Sequence, residues 1–302
     1  MSDLLLDDVQ THRVVRGRSL WQDAYRRIMR NPSAVVSLYV LAILVLIAVF
    51  GPMLWVHKMD VIYRDRVAIG PTLTHLHLLG TDTEGRDMVA RTMFGLGISL
   101  LVGAAATVVA LTIGVTYGAV AGFFGGAVDE VMMRIVDVLY SIPFIFFVIV
   151  LLTVINTPDP FAKLMLIFMA IGAVEWLTMA RIVRGQTIAL RNKEFVEAAR
   201  AAGAKPMQIV FRHIVPNVLG PVVVFATLNV PVIILSESFL SFIGLGVQEP
   251  LTSLGRLISD GSGQMINAPW MLVTPAVVML ITLLALNFLG DGLRDALDPK
   301  DR

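Results

Sequence analysis

The segment KEFVEAARAAGAKPMQIVFRHIVPN, residues 193–217, holds four basic and two acidic residues in a chain that is 56% hydrophobic and 16% charged. Apolar residues recur in it at helical spacing on both sides of one glycine. Phe195, Ala199 and Ala202 follow i, i+4, i+7; after Gly203, Met207, Val210, Phe211 and Ile214 follow i, i+3, i+4, i+7. Gly203 can take the positive φ that ends a helix, and Pro206 suits the first turn of the next. The spacing predicts a helix–turn–helix, with Pro216 marking the start of an apolar span. Two readings fit: an interfacial pair lying on anionic lipid, or a docking surface for a protein.

Outward from this segment the chain is apolar. Mean hydropathy is +0.78, and so few charges cannot cover a soluble domain of 302 residues. Crossing a hydrocarbon core of roughly 30 Å takes about 20 helical residues. Apolar runs of that order fall at 34–56, 93–121, 131–155, 163–182, 217–240 and 271–290. Continuous runs of this length exclude barrel strands. The expected fold is an all-α polytopic membrane protein with six transmembrane helices. It divides into an N-terminal segment 1–33, a first span 34–56, an outer segment 57–92, a five-helix core 93–290 containing the loop 184–217, and a tail 291–302.

Lys and Arg set the expected orientation. With the N-terminus inside, fifteen lie on inner segments: Arg13, Arg16, Arg18, Arg26, Arg27, Arg30, Arg184, Arg191, Lys193, Arg200, Lys205, Arg212, Arg294, Lys300 and Arg302. Seven lie outside: Lys58, Arg64, Arg66, Arg86, Arg91, Lys163 and Arg256. The excess puts both termini, and the segment 193–217, in the cytoplasm. The first 33 residues hold no short apolar run with a small-residue cleavage site, so no removable signal peptide is expected. The absence of cysteine excludes disulfides and thiolate metal sites. A net charge of +1 without a dense basic block gives no sign of nucleic-acid binding.

Gly114, Gly118 and Gly122 form a row on one helix face, which admits another helix at close range, either within the chain or from a partner subunit. Arg134 and Asp137, three apart, are placed to pair, and Pro143 is expected to kink the third span. Residues 80–87 read as a polar turn, with Gly80 and Gly85 as breakers and Thr81 and Asp82 as candidate helix caps, or as a partner contact. Asp82, Glu84 and Asp87 lack a calcium-loop spacing, and His75 and His77 have no third ligand placed by sequence, so no metal site is assigned. Glu175 falls well inside the fourth span, where a charge costs on the order of 3 kcal/mol. It is expected either to line a substrate path or to meet a polar partner across a helix face. Glu237 lies near the outer end of the fifth span. The chain contains no Gly-Lys pair, hence no phosphate loop for ATP, and no H-E-x-x-H.

Glu197-Ala198-Ala199, then Gly203, then Pro216 thirteen residues on, resembles the EAA loop of ABC importer permeases. The family pattern ends I-x-L-P; here His213 and Val215 depart from it. Arg212, His213, Ile214, Pro216 and Asn217 match instead the RHI-P-N form common in the peptide branch. GTDTEGRDMVARTMFG (80–95), DEVMMRIVDVLYSIP (129–143) and SESFLSFIGLGVQEP (236–250) are similar to signatures of the peptide and nickel permeases. The two ends, GRSLWQDAYRRIMRNP (17–32) and GDGLRDALDPKDR (290–302), look most like the oligopeptide permeases of that family.

The resemblance implies a type I ABC importer transmembrane domain in the bacterial inner membrane, not itself an enzyme, translocating oligopeptides. Implied partners are a homologous second permease in a heterodimer, two cytoplasmic ATPases, a periplasmic oligopeptide-binding protein and membrane lipid. It implies no cofactor in this chain, with ATP and magnesium held by the ATPases. The coupling residues would be Glu197, Ala198, Ala199, Gly203, Lys205, Arg212 and Pro216. A dipeptide or nickel permease of the same family is the alternative. More remote are an ion-coupled secondary transporter, for which no inverted repeat is seen, and an intramembrane hydrolase, for which no nucleophile and base lie within the spans.

Overall fold

The computed structural model describes residues 20–155 and 157–297, all helical apart from connecting segments and one isolated bridge between Thr81 and Asp87. Arg13, Arg16, Arg18, Lys300 and Arg302 lie outside the described residues, as do parts of the N-terminal segment and tail. The helices are α1 Leu20–Arg30, α2 Pro32–Leu54, α3 Met88–Phe124, α4 Gly126–Tyr140, α5 Phe144–Val154, α6 Pro160–Leu190, α7 Glu194–Ala201, α8 Pro206–Ile209, α9 Val215–Phe242, α10 Leu254–Ser262 and α11 Trp270–Leu297. Among the described residues, α2, α3, α6, the continuous run from α8 through α9, and α11 are each long and apolar enough to span a membrane; α4 and α5 reach that length only when taken together as one bent pair.

The third expected span is therefore not one helix. Its axis turns by 79° between α4 and α5. Pro143 cannot donate to the helical ladder and disfavours helical geometry at Ile142, so the break falls at residues 141–143. The expected Arg134–Asp137 pair does not form its own bridge. Asp137 instead accepts from Arg181 Nη2 of α6 at 2.9 Å. The loop expected from 184 begins at Arg191, because α6 stays helical to Leu190. Hydropathy marks where lipid ends, while backbone hydrogen bonding carries the helix past it. For the same reason α3 runs to 37 residues, about 55 Å.

The bundle is organised about α3 and α6, which run parallel. The glycine row faces α6: a Cβ at Gly114 would lie 2.6 Å from that of Met179, one at Gly122 2.7 Å from the Arg184 carbonyl oxygen, and one at Gly118 closer still to the Ala180 carbonyl. The row is filled from within the chain. Val102, Ala106, Ile167, Ile171 and Ile233 build the core where α3, α6 and α9 meet. On α2, Ala34, Ser37, Leu41 and Leu44 make one buried stripe toward the bundle, while Leu38, Tyr39, Ile43 and Leu46 face outward. That exposed surface is what a lipid-facing helix presents.

Gly118→Leu should disrupt the chain itself, by overpacking α3 against the α6 backbone at about 1–3 kcal/mol or more. Thermal unfolding of the chain expressed without partner subunits should drop. A variant with unchanged unfolding that only loses subunit assembly would reassign the row to an intersubunit face.

Candidate functional site

Two polar assemblies sit at opposite ends of the bundle. At the end holding α1 and the α11 C-terminus, the segment 193–217 forms α7, a turn, and α8, which continues through a five-residue π-helical stretch, Val210–Ile214, into α9. Gly203 sits at φ +79°. Ala204 N donates to Ala199 O at 3.1 Å and Gly203 N to Arg200 O at 2.9 Å, the paired bonds of a Schellman cap. Nothing lies within 4 Å of a Cβ at Gly203, so conformation rather than space demands glycine there.

Pro216 was expected to mark a boundary, yet the helix passes through it. The proline lacks an N–H and would crowd the carbonyl four residues back. The wide π turn, in which Val215 N donates to Val210 O, absorbs that defect. Asn217 Nδ2 donates to His213 O at 2.6 Å, satisfying a loosened carbonyl.

The periodicity merged two faces of this pair. The inner face is Val196, Ile209, Val210 and Ile214, buried against Ala119, Phe123, Met179, Val183 and Val218. Phe195, Met207 and Phe211 instead remain 37%, 45% and 48% exposed. Glu197, Ala198, Lys205, Arg212 and Pro216 are exposed around them, with Ala199 half-buried. Arg200 stacks over the Phe123 ring at 5.4 Å, and Arg191 Nη1 donates to Gly122 O at 3.2 Å, tying the pair to the end of α3. Beside it, Arg184 grips Asp129 through two bonds of 2.5 and 2.6 Å, fixing α4 on α6. Sequence reading missed this latch, since 55 residues separate its halves.

At the opposite end, Asp82 is a hub rather than a helix cap. Its Oδ1 accepts from the Glu84 and Arg86 backbone at 2.9 and 2.8 Å; its Oδ2 accepts from Arg86 Nε at 2.7 Å and from Arg91. Arg86 Nη1 reaches Glu249 at 2.9 Å, which joins the turn to the segment after α9. Burial alone would raise the Asp82 carboxyl, but the Arg86 N–H bond and the charges of Arg91 and Arg86 hold it below the ordinary value. The cap of α3 is Asp87, accepting from Ala90 N at 2.8 Å and also from Trp55 Nε1 at 3.0 Å. Gly85, at φ +84°, approaches the Tyr63 backbone too closely for any side chain.

His77 Nδ1 meets Asp87 Oδ2 at 2.8 Å, and His77 stacks on His57 with centroids 4.4 Å apart. Ligand atoms of His57, His77 and Asp87 lie within 4.8 Å of one another. The third histidine and the carboxylate that spacing did not place are thus brought in by the fold, while the His75 side chain is exposed. Each ring nitrogen already has a polar neighbour: Tyr63 Oη at 2.8 Å and the His75 carbonyl at 2.9 Å for His57, Asp87 and Arg66 for His77.

Between the two ends, Glu175 Oε2 accepts from Asn229 Nδ2 of α9 at 2.7 Å, a polar partner across a helix face. Glu237 is fully buried. Ser241 and Ser253 each donate to it at 2.7 Å, and Ser99 stands at 3.5 Å.

The comparisons with known proteins match this architecture. Residues 114–302 match the family described as binding-protein-dependent transport system inner membrane component, and residues 19–71 the N-terminal TM domain of oligopeptide transport permease C. The chain belongs to that transport family. Members are permease subunits of ABC importers in the inner membrane, working with ATPase subunits and a binding protein, and are not themselves enzymes. Similar relatives include the oligopeptide transport system permease protein OppC of Haemophilus influenzae, 51% identical over 95% of this chain and 91% of that one. OppC of Escherichia coli K12 is 53% identical over 95% and 94%. The dipeptide permease protein DppC of Bacillus subtilis is 42% identical over 94% and 87%. Among solved structures, an inward-facing MetNI methionine ABC transporter aligns at TM-score 0.55 and 22% identity, covering 70% of this chain and 98% of that one. It supports the type I fold.

The hub at Asp82 predicts that the turn at 80–87 is acid-sensitive in this permease. An aspartate whose folded pKa is depressed stabilises above its unfolded value, about 3.9. That contribution is lost as pH falls through the folded pKa. Hydrogen exchange of amides 63–88 should stay protected down to about pH 4 and rise below it, and Asp82→Asn should lower protection at neutral pH. Equal protection in wild type and variant would remove the hub.

Proposed function

We propose that this chain is the permease subunit through which an ATP-driven importer passes oligopeptides, and that α7 and α8 receive its ATPase. One observation carries the coupling role: three large apolar side chains, Phe195, Met207 and Phe211, stand exposed on a helix pair otherwise edged with charge. A pair resting on lipid would need only a broad apolar face and a basic rim. Here the pair is instead braced from behind by Val196, Ile209 and Ile214 and tied down by Arg200 and Arg191. Such bracing suits a surface that must transmit force. The oligopeptide class follows from the 51% and 53% identity to proteins so named.

In this reading both termini and α7–α8 face the cytoplasm, where Lys and Arg are in excess. A homologous second permease completes the path, two ATPases bind ATP and magnesium, and a periplasmic oligopeptide-binding protein delivers the peptide. ATP binding draws the ATPases together, and the permeases exchange inward- and outward-facing states, a two-state element biased by ligand-dependent contacts. Glu175 with Asn229 would present one polar group to a peptide in passage.

The test is uptake and subunit retention in vesicles carrying the whole importer. Phe195→Ala and Met207→Ala remove exposed side chains, so the fold should persist while ATPase retention weakens by about 1 kcal/mol or more each. Gly203→Val forces a β-branched residue into left-handed geometry and should abolish coupled uptake. Wild-type ATP-driven uptake in all three would sink the coupling surface. Transport of nickel or dipeptides in preference to longer peptides would overturn the substrate class alone. Glu175→Gln should alter uptake according to peptide charge; identical rates for acidic, neutral and basic peptides would make the Glu175–Asn229 pair purely structural.

A further inference from the structure

Beside the Asp82 hub opens a cavity of about 190 Å³, framed by the turn at 80–87, the first turn of α3, Glu249 and the helix α10. Part of its lining is apolar, from Met88, Leu257 and Met271, all buried. Glu84 and Glu249 stand exposed at its rim, and Asp260 is half-buried.

The charges around it do not balance. Four carboxylates, Asp82, Glu84, Glu249 and Asp260, meet three guanidinium groups, Arg86, Arg91 and Arg256. Arg86 is divided among three of the acids: its Nε lies 2.7 Å from Asp82, and its Nη1 lies 3.2 Å from Glu84 and 2.9 Å from Glu249. Arg91 is taken by Asp82 and stands 4.0 Å from Glu249. Asp260 has one counter-ion in contact among the described residues, Arg256 at 3.1 Å. The buried Arg256 Nε–H is out of line with it and has no hydrogen-bond acceptor. Burial raises the Asp260 carboxyl, against the opposing charges of Arg256 and Arg91. One negative charge is thus left uncompensated.

We propose that this cavity receives a lysine side chain of the oligopeptide-binding protein. An ammonium on an aliphatic stem fits both parts of the lining, the stem on Met88, Leu257 and Met271 and the charge on Asp260 and the rim carboxylates. Pockets that hold whole small molecules run to about 300–1,000 Å³, so this one takes a side chain and not a peptide. An oligopeptide importer must also accept cargo without lysine, which assigns the arm to the carrier. The second permease packs alongside the spans, whereas the rim carboxylates and α10 lie outside them. The inference rests on the reading above, in which the binding protein meets this end of the bundle.

The test uses the whole importer in nanodiscs, with affinity for its binding protein read by surface plasmon resonance and uptake of trialanine or trilysine read in vesicles. Asp260→Asn should weaken binding about five-fold, and Asp260→Lys, which fills the cavity with its own ammonium, more so. Arg256→Gln removes the opposing charge and should tighten binding, a change that misfolding could not mimic. Asp65→Asn, at an exposed acid off the lining, should leave it unchanged. Acetylating the lysines of the binding protein should erase the difference between wild type and Asp260→Asn. Equal binding by those two, an equal loss in Asp65→Asn, or a difference that survives acetylation would overturn the lysine site. An effect confined to trilysine would assign the cavity to the cargo. Loss of the second permease on purification, with binding-protein affinity unchanged, would assign it to the permease pair; either result overturns the proposal. A wild-type importer whose uptake the binding protein does not stimulate would instead overturn the oligopeptide reading, and the occupant with it.

Discussion

Everything else in this bundle is hung on the close approach of α3 to α6. Lipid gives two helices no hydrophobic reason to associate, so contact must come from packing and from the few polar bonds available. Gly114, Gly118 and Gly122 let the α3 backbone lie against the α6 backbone at Met179, Ala180 and Arg184. That contact runs parallel and long, and it places the two ends of both helices in register. One end of α3 then carries Asp87 and Arg91 into the cluster around Asp82; the other carries Phe123 under Arg200. The end of α6 brings Arg181 and Arg184 onto α4.

Charge is kept to the two rims for a physical reason. An ion inside hydrocarbon costs several kcal/mol unless partnered. The interior carboxylates obey the rule, Glu175 through Asn229 and Glu237 through serine hydroxyls. At the rims, charged pairs join segments far apart in the chain: Asp129 with Arg184, Arg86 with Glu249. These bonds do little for affinity between exposed partners. Buried as at Asp82 and Arg91, they fix orientation, so that the turn at 80–87, α3 and the segment after α9 are held together.

Much of this was legible in sequence, and the failures share one cause. Hydropathy located the apolar cores of the spans because lipid thickness is a one-dimensional constraint. It missed the extra turns of α3 and α6, which obey hydrogen bonding rather than burial. Glycine spacing announced a close helix contact but not its owner. Positive φ at Gly203 and the break near Pro143 were foreseeable because both are properties of single residues. Asp82 as a hub, Asp87 as the cap, and the Arg184–Asp129 latch were not, since their partners come from the fold. The same holds for the face of 193–217: an apolar stripe at helical period does not say which edge is buried, and here Val196 and Ile209 went inward while Phe195 and Met207 stayed out.

The π turn at Val210–Ile214 decides which helix carries that exposed edge. Had Pro216 ended a helix, α8 would be a tethered fragment able to move without α9. Because the wide turn accommodates the proline, α8 and α9 form one continuous element from Pro206 to Phe242. The exposed face at Met207 and Phe211 is therefore carried on the same continuous helical run as α9. Further along α9 lie Asn229, which donates to Glu175, and Glu237, which accepts from Ser253 at the start of α10. The Schellman turn at Gly203 joins α7 to this run without making it part of the same helix.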